Sequence, residues 1–139
     1  MEFLKISTEN FEDLKKLQIA YKNEIGEDSP TSDDLTSLYQ AIKEDQISFY
    51  GCVCDSHLVG CCSICTTFST FNYKKSGVFE DFFIEPEYRH RGIAKKLVKF
   101  AFTSSGVGSL SVGCADCDLE MYKALGFSIS LGNLLAFES

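Results

Sequence analysis

The sequence predicts one mixed α/β domain built around a strand–turn–helix unit. Three observations carry that prediction. Val78 to Ile84 is a nearly continuous apolar run of strand character, and Ile93 to Phe102 behind it repeats apolar residues at helical spacing. Two amphipathic stripes, Phe11 to Tyr21 and Leu35 to Ile42, precede it. Between them and the central unit, two strand-like runs flank the turn sequence Asp55-Ser56-His57, as a hairpin requires. A chain of 139 residues with 45% hydrophobic and 24% charged residues fits a single domain over residues 1–139. No internal repeat or low-complexity stretch divides it.

In chain order, Phe3 to Ile6 can form a first strand. Thr8 or Asn10 can cap a helix whose stripe is Phe11, Leu14, Leu17 and Tyr21. Residues 25–31 connect it to a second helix capped by Ser32. Asp33 and Asp34 in its first turn suit the helix dipole, and Leu35, Leu38, Tyr39 and Ile42 form its buried stripe. Ile47 to Cys54 and Leu58 to Phe68 make the hairpin, with His57 a solvated tip residue and Gly60 a candidate bulge. Residues 69–76 form a polar loop that contains Phe71 and Tyr73.

The central strand is expected to be covered on both faces. Period-two alternation places Val78, Glu80, Phe82 and Ile84 on one face and Phe79, Asp81 and Phe83 on the other, so each apolar row carries one carboxylate. A buried, unpaired carboxylate is costly, so each acid needs a partner, a water or a task. Pro86 ends the strand. Arg89-His90-Arg91-Gly92-Ile93-Ala94 then enters a helix in which Ile93, Leu97 and Ala101 face inward and Lys95, Lys96 and Lys99 face water. The first N–H groups of a helix lack intrahelical partners and lie at the positive end of its dipole. Gly92 admits a ligand close to the backbone, so this end reads as an anion site suited to a pyrophosphate. Further on, Leu110 to Cys114 is a short strand, and Asp116 or Asp118 caps a helix running through Ala124. Phe127 to Ser130 and Leu134 to Phe137 are expected to close the fold as two short strands.

Arg89-x-x-Gly92-x-Ala94 after such a strand resembles the acetyl-coenzyme A signature of the GCN5-related N-acetyltransferase (GNAT) superfamily, [Q/R]-x-x-G-x-[G/A]. The lead-in from Glu80 to Arg89 is similar to the family's strand and turn, and most similar to its diamine/polyamine acetyltransferase branch. Tyr122-Lys-Ala-Leu-Gly126-Phe127 is similar to the family's Y-x-x-x-G-F element. The likeness is specific over about residues 76–128.

The resemblance implies a mixed, mostly antiparallel sheet of about six to seven strands and about four helices, splayed between the fourth and fifth strands. It implies acetyl-CoA as co-substrate, its pyrophosphate held by the loop N–H groups of His90, Arg91, Gly92, Ile93, Ala94 and Lys95, with Arg89, Arg91 and Lys96 adding charge. Backbone groups of Phe82, Phe83 and Ile84 would pair with the pantetheine arm. Tyr122 would be the general acid for the departing thiolate. Glu80, in the row expected to face the cleft, is the candidate base for the attacking amine, and Asp81 is the runner-up, because the bulge common in this strand of the family leaves the facing open. The chain departs from the pattern at Ala115, where the family commonly has an asparagine, and at His90, where glycine is frequent.

The reading is therefore an acetyl-CoA-dependent N-acetyltransferase acting directly on the primary amine of a small cationic acceptor, with no metal. Ala115 favours an alternative, a catalytically weak acyl-CoA-binding or interaction module on the same fold. Homodimers are frequent in the superfamily, so a homodimer is a family-level expectation. The net charge of −7 argues against a nucleic-acid partner. Most of the acidic excess precedes residue 46, which suits a cationic acceptor at that end. No apolar run reaches about 18 residues, no signal peptide is evident, and the expected location is cytoplasmic. Cys52, Cys54, Cys61, Cys62 and Cys65 read as small hydrophobes in strands. Cys114-x-x-Cys117 allows a zinc or redox reading, but no second pair and no suitably spaced histidine accompanies it.

Overall fold

A computed structural model describes residues 1–138. The chain runs β1 (Glu2–Lys5), α1 (Phe11–Glu24), α2 (Ser32–Lys43), β2 (Ser48–Cys54), β3 (His57–Ser69), β4 (Lys74–Ile84), α3 (Ile93–Ser105), β5 (Ser109–Val112) and α4 (Leu119–Ala124), with short 3-10 turns before α1, α3 and α4. The strands form one sheet in the order β1-β2-β3-β4-β5. All neighbours are antiparallel except β4 and β5, which are parallel. A parallel pair needs a crossover, and α3 supplies it.

Helices cover both faces. Leu14 and Leu17 of α1 and Ile42 of α2 pack with Phe49, Leu58, Cys61 and Phe83 on one face. On the other, Leu97, Val98 and Ala101 of α3 pack on Tyr50, Cys62, Ile64 and Phe79, with Tyr122, Leu125 and Phe127 at the margin. The alternation of Phe49 and Tyr50 into different cores is the period-two signature of a strand with two covered faces.

Several local expectations are corrected. The sheet has five strands, because Phe127–Ser130 and Leu134–Phe137 form no ladder. Only Phe127 of that segment reaches a core; Ile129, Leu131, Leu134, Leu135 and Phe137 stay largely exposed. An alternating run becomes a strand only where an apolar surface and a backbone edge receive it. Helix α2 is capped by Thr31, not Ser32: Thr31 Oγ1 accepts from Asp34 N–H while Asp34 Oδ2 accepts from Thr31 N–H, a reciprocal capping box. Its stripe is shallower than expected, with Ile42 its one buried residue. Asn10 stands at the N-cap of α1 but makes no side-chain capping bond to it, while Ser7 caps the short 3-10 turn ahead of α1, its Oγ accepting from Glu9 N–H. Asp118 stands at the N-cap of α4 but makes no side-chain capping bond.

The hairpin turn is Asp55-Ser56, both with positive φ, as a two-residue turn between twisted strands requires. His57 is already the first residue of β3, and its ring lies edge-on to Tyr88. The polar loop is shorter than 69–76, since β4 begins at Lys74. Phe71 and Tyr73 at its tip are exposed. Strand β5 ends at Val112 rather than Cys114.

The most consequential correction lies in β4. Its residues do not alternate throughout, because register shifts against β3 between the Cys61–Phe83 and Ser63–Glu80 pairs. The bulge centres on Asp81, whose φ is +55°. Phe79 and Phe82, three apart, consequently sit together on the α3 face with ring centroids 5.8 Å apart. Val78, expected in a buried row, is exposed.

Candidate active site

The site begins where β4 and β5 separate. Their parallel pairing runs from Ser76–Ser109 to Phe79–Val112 and then stops, while β4 continues to Ile84. The β5-facing edge of Glu80 to Ile84 therefore has no strand beside it. Past Phe79, β4 is paired with β3 only, at Glu80, Phe83 and Ile84. An extended molecule can take the vacant place with main-chain hydrogen bonds.

Below the split, the chain turns into α3. Gly92 is the N-cap residue with φ +79°, and His90 two residues earlier has φ +63°. A non-glycine residue in the left-handed region costs about 1 kcal/mol. The turn that demands it exposes His90, Arg91 and Gly92. No side chain caps α3, and the N–H groups from His90 to Lys95 have no backbone acceptor among the described residues. A Cβ built on Gly92 would meet nothing within 4 Å. The space in front of these N–H groups is open, as close approach of an anion requires. Ile93 is buried against Cys52, Val59 and Ile84, which fixes the helix start to the sheet.

Arg89 does not project into that space. Its Nε donates to the Ile84 carbonyl at 2.7 Å, its Nη2 pairs with Glu24 Oε2 at 2.6 Å, and its guanidinium lies 5.4 Å from the Phe83 ring centroid. It ties the end of β4 to the end of α1. Arg91 lies over the Tyr88 ring at 5.3 Å, and Lys95 and Lys96 are exposed on the first turn of α3.

The bulge decides where the two acids go. Asp81 faces α1: Ser63 Oγ donates to its Oδ2 at 2.6 Å and Gln18 Nε2 to its Oδ1 at 3.4 Å. Glu80, next to Phe79 and opposite in facing, is exposed. Both acids raise the pKa of Tyr21 on α1, after the larger effect of burial. Glu80 and Asp81 thus share the α1 side rather than occupying opposite rows. Alternation alone cannot anticipate this, because a one-residue bulge inverts every facing beyond it.

Tyr122 of α4 forms the far wall. Its ring lies 6.4 Å from Phe79, 6.3 Å from Phe82 and 5.9 Å from Phe127. Burial, with a smaller effect from Tyr21, pushes its phenol up to about 12, so it keeps its proton at neutral pH. Ala115 is exposed in the segment between β5 and α4.

Sequence reasoning did not single out Gln18, Ser63 or Tyr21. Gln18 was legible as the one polar residue on the Leu14, Leu17, Tyr21 stripe, and Ser63 as the one polar residue between Cys61, Cys62 and Ile64. The thiols of Cys61 and Cys62 are raised by burial and are inert for that reason. Cys114 and Cys117 are exposed and free. Among the described residues, no three His, Cys, Asp or Glu side chains gather as metal ligands, and no helix is long and apolar enough to cross a membrane.

A family model described as an acetyltransferase (GNAT) domain matches residues 45–129, more than half of the chain. A solved structure of a probable acetyltransferase is 18% identical, with a TM-score of 0.85 over 100% of both chains. An aminoglycoside acetyltransferase from an uncultured soil metagenomic sample, solved with sisomicin, is 12% identical with a TM-score of 0.82, covering 99% of this chain and 95% of that one. A predicted acetyltransferase from Clostridium acetobutylicum, solved with acetyl-CoA, is 12% identical with a TM-score of 0.78, covering 98% and 95%. No curated protein matches the sequence.

Proposed function

The chain belongs to the acetyltransferase (GNAT) domain family, and from that premise we propose that it transfers the acetyl group of acetyl-CoA directly to a primary amine of a small cationic acceptor. One observation carries the reading. The vacant edge of β4 leads from Tyr122 on one wall to unpartnered N–H groups at the start of α3. Those N–H groups and the open space at Gly92 fit a pyrophosphate, and the edge from Phe82 to Ile84 fits an amide-bearing arm.

Acetyl-CoA supplies the acyl group as a thioester. Backbone N–H groups from His90 to Lys95 bind its phosphates, with Arg91, Lys95 and Lys96 adding charge. Arg89 acts through the loop, holding the Ile84 carbonyl and Glu24 so that the ends of β4 and α1 stay tied. A β4 N–H donates to the thioester carbonyl oxygen as negative charge develops there. The acceptor ammonium must lose a proton before its nitrogen can attack, and Glu80, with Asp81 beside it, accepts that proton directly or through water. A C–N bond forms as the C–S bond breaks, and the nitrogen releases a second proton, which by way of water replaces the one Tyr122 gives up. Tyr122 gives its phenolic proton to the leaving sulfur, and its raised pKa favours the protonated form this role needs.

The acidic N-terminal half supports a cationic acceptor, as does the strand's likeness to the diamine/polyamine branch. That a structural neighbour holds an aminoglycoside is consistent with it. Ala115 favours a second reading, an acyl-CoA-binding module without turnover. An amine screen with thiol-release detection, run on wild type and Tyr122→Phe, tests the proposal. Release that depends on an amine and collapses in the variant supports transfer. Binding of acetyl-CoA with no release from any primary amine, in wild type as in the variant, refutes it in favour of the binding module.

A further inference from the structure

The bulge in β4 costs the sheet ladder bonds. Asp81 and Phe82 of β4 stand opposite Cys62 of β3 alone, because the pairs on either side are Ser63–Glu80 and Cys61–Phe83. The extra residue of a bulge is left unpaired, and its backbone groups need other partners. Asp81 is held at all three of its oxygens. Cys61 Sγ donates to its carbonyl at 3.6 Å, Ser63 Oγ to its Oδ2 at 2.6 Å and Gln18 Nε2 to its Oδ1 at 3.4 Å. Burial raises the Cys61 thiol, so it keeps the proton it donates. Cys61, Ser63 and Gln18 are themselves buried. Side chains from β3 and α1 thus converge on one residue in a costly conformation, with φ +55°.

The same bulge sets which backbone groups β4 presents beyond the split. Glu85 N–H donates to the Val59 carbonyl of β3 at 2.8 Å. Backbone facing alternates along a strand, so Phe83 also turns its N–H toward β3, while Phe82 and Ile84 turn theirs to the open edge. The Ile84 carbonyl agrees, since it takes Arg89 Nε. A register one residue off would exchange the two sets and turn the Phe82 N–H toward β3.

We propose that Asp81 is the pin of this bulge rather than a proton acceptor, and that Cys61, Ser63 and Gln18 are positioning residues, which act through Asp81 to hold the Phe82 N–H at the open edge as the donor to the thioester carbonyl. Both Asp81 carboxylate oxygens already accept from protein donors, whereas Glu80 is exposed. Of the two acids offered for the acceptor proton, Glu80 alone is left to take it. The inference deepens the transferase reading and rests on it for the proton, but a polarised thioester does not require turnover.

Two readouts on the full chain test this. The first is the infrared carbonyl band of bound isotope-labelled acetyl-CoA, taken without an acceptor. Wild type should move the band to lower frequency than in free acetyl-CoA, and Ser63→Ala should return it about halfway or more. The second is the pH–rate profile with diaminobutane as acceptor. Ser63→Ala should lower kcat about tenfold, change the acetyl-CoA KM less than about threefold and leave the ascending limb where it is. Asparagine tolerates a left-handed φ. Its amide can accept from Ser63 and, once the Gln18 amide turns over, donate to Gln18 Oε1, which has no donor in wild type. Asp81→Asn should therefore keep the limb and lower kcat by no more than about tenfold, whereas loss of the base costs about a hundredfold or more. A wild-type band at the free frequency, or one unmoved by a folded Ser63→Ala, overturns the proposal. So does a loss of about a hundredfold in Asp81→Asn with the limb gone. If Ser63→Ala does not fold, Gln18→Met, which removes the other carboxylate donor, replaces it in both arms. The two readings fail separately: a shifted band without turnover removes the transferase and keeps the pin, whereas turnover with a band at the free frequency does the reverse. No bound band at all overturns both.

Discussion

The two sides of the β4 split are made of different material. Toward α3, the features that fit an anion are backbone ones: N–H groups from His90 to Lys95, a left-handed Gly92 and an open space in front of it. The arginine that opens the motif is turned away to tie β4 to α1. Toward α1, the features are side chains held by one another, with Ser63 and Gln18 both donating to Asp81. A backbone site depends on φ and on free space and tolerates most side-chain changes. A side-chain network depends on every member, because each removal strands a buried polar partner.

The first way to break this comparison is on the far wall. Tyr122→Phe keeps the ring that packs on Phe79 and Phe82 and removes the proton, so kcat should fall about a hundredfold or more while acetyl-CoA affinity holds. Steady-state kinetics beside a binding titration reads both. The pH profile sharpens the same point. Burial raises the folded-state pKa of this phenol to about 12, so the neutral form persists as pH rises past the ordinary tyrosine range. Activity should therefore climb with deprotonation of the acceptor and show no descending limb up to about pH 10. A fall between about pH 8 and 10 that vanishes in Tyr122→Phe would contradict this assignment.

On the α3 side, Gly92→Val should cost acetyl-CoA affinity about tenfold, through strain at φ +79° and a side chain in the open space. On the α1 side, Asp81→Ala should destabilise the fold by about 1–3 kcal/mol in urea unfolding, since it leaves Ser63 Oγ and Gln18 Nε2 without their acceptor. The smallest effect should come from the motif's own arginine. Arg89→Met should lower stability by about 1 kcal/mol yet change acetyl-CoA affinity less than about threefold. A large affinity loss with a flattened salt dependence would return Arg89 to the phosphates.

The same contrast explains what was legible in the sequence. Gly92 and the apolar spacing of Ile93, Leu97 and Ala101 are local, and they carry the loop and helix whose start fits an anion. The order of strands and helices through β5 was equally readable, because each element has its own period. A bulge in this strand was legible only through the family resemblance, and its place at Asp81 was not readable from spacing. It arises from register against β3, a non-local property, and it moves both acids to one side. The Gln18–Asp81–Ser63 network joins residues 63 and 18 positions apart in the chain, so no spacing rule could assemble it. The closing strands failed for the opposite reason: residues 127–137 have local strand character, yet they pair with no strand of the sheet, although β5 lies at its margin, and their apolar side chains past Phe127 stay exposed.

The measurement that bears most directly on the account is isothermal titration of wild type and Gly92→Val with acetyl-CoA. The account predicts one site per chain, weakened about tenfold by the valine. Absence of binding by wild type up to millimolar acetyl-CoA, or equal affinity in the two proteins, would contradict the backbone anion site on which every later step depends.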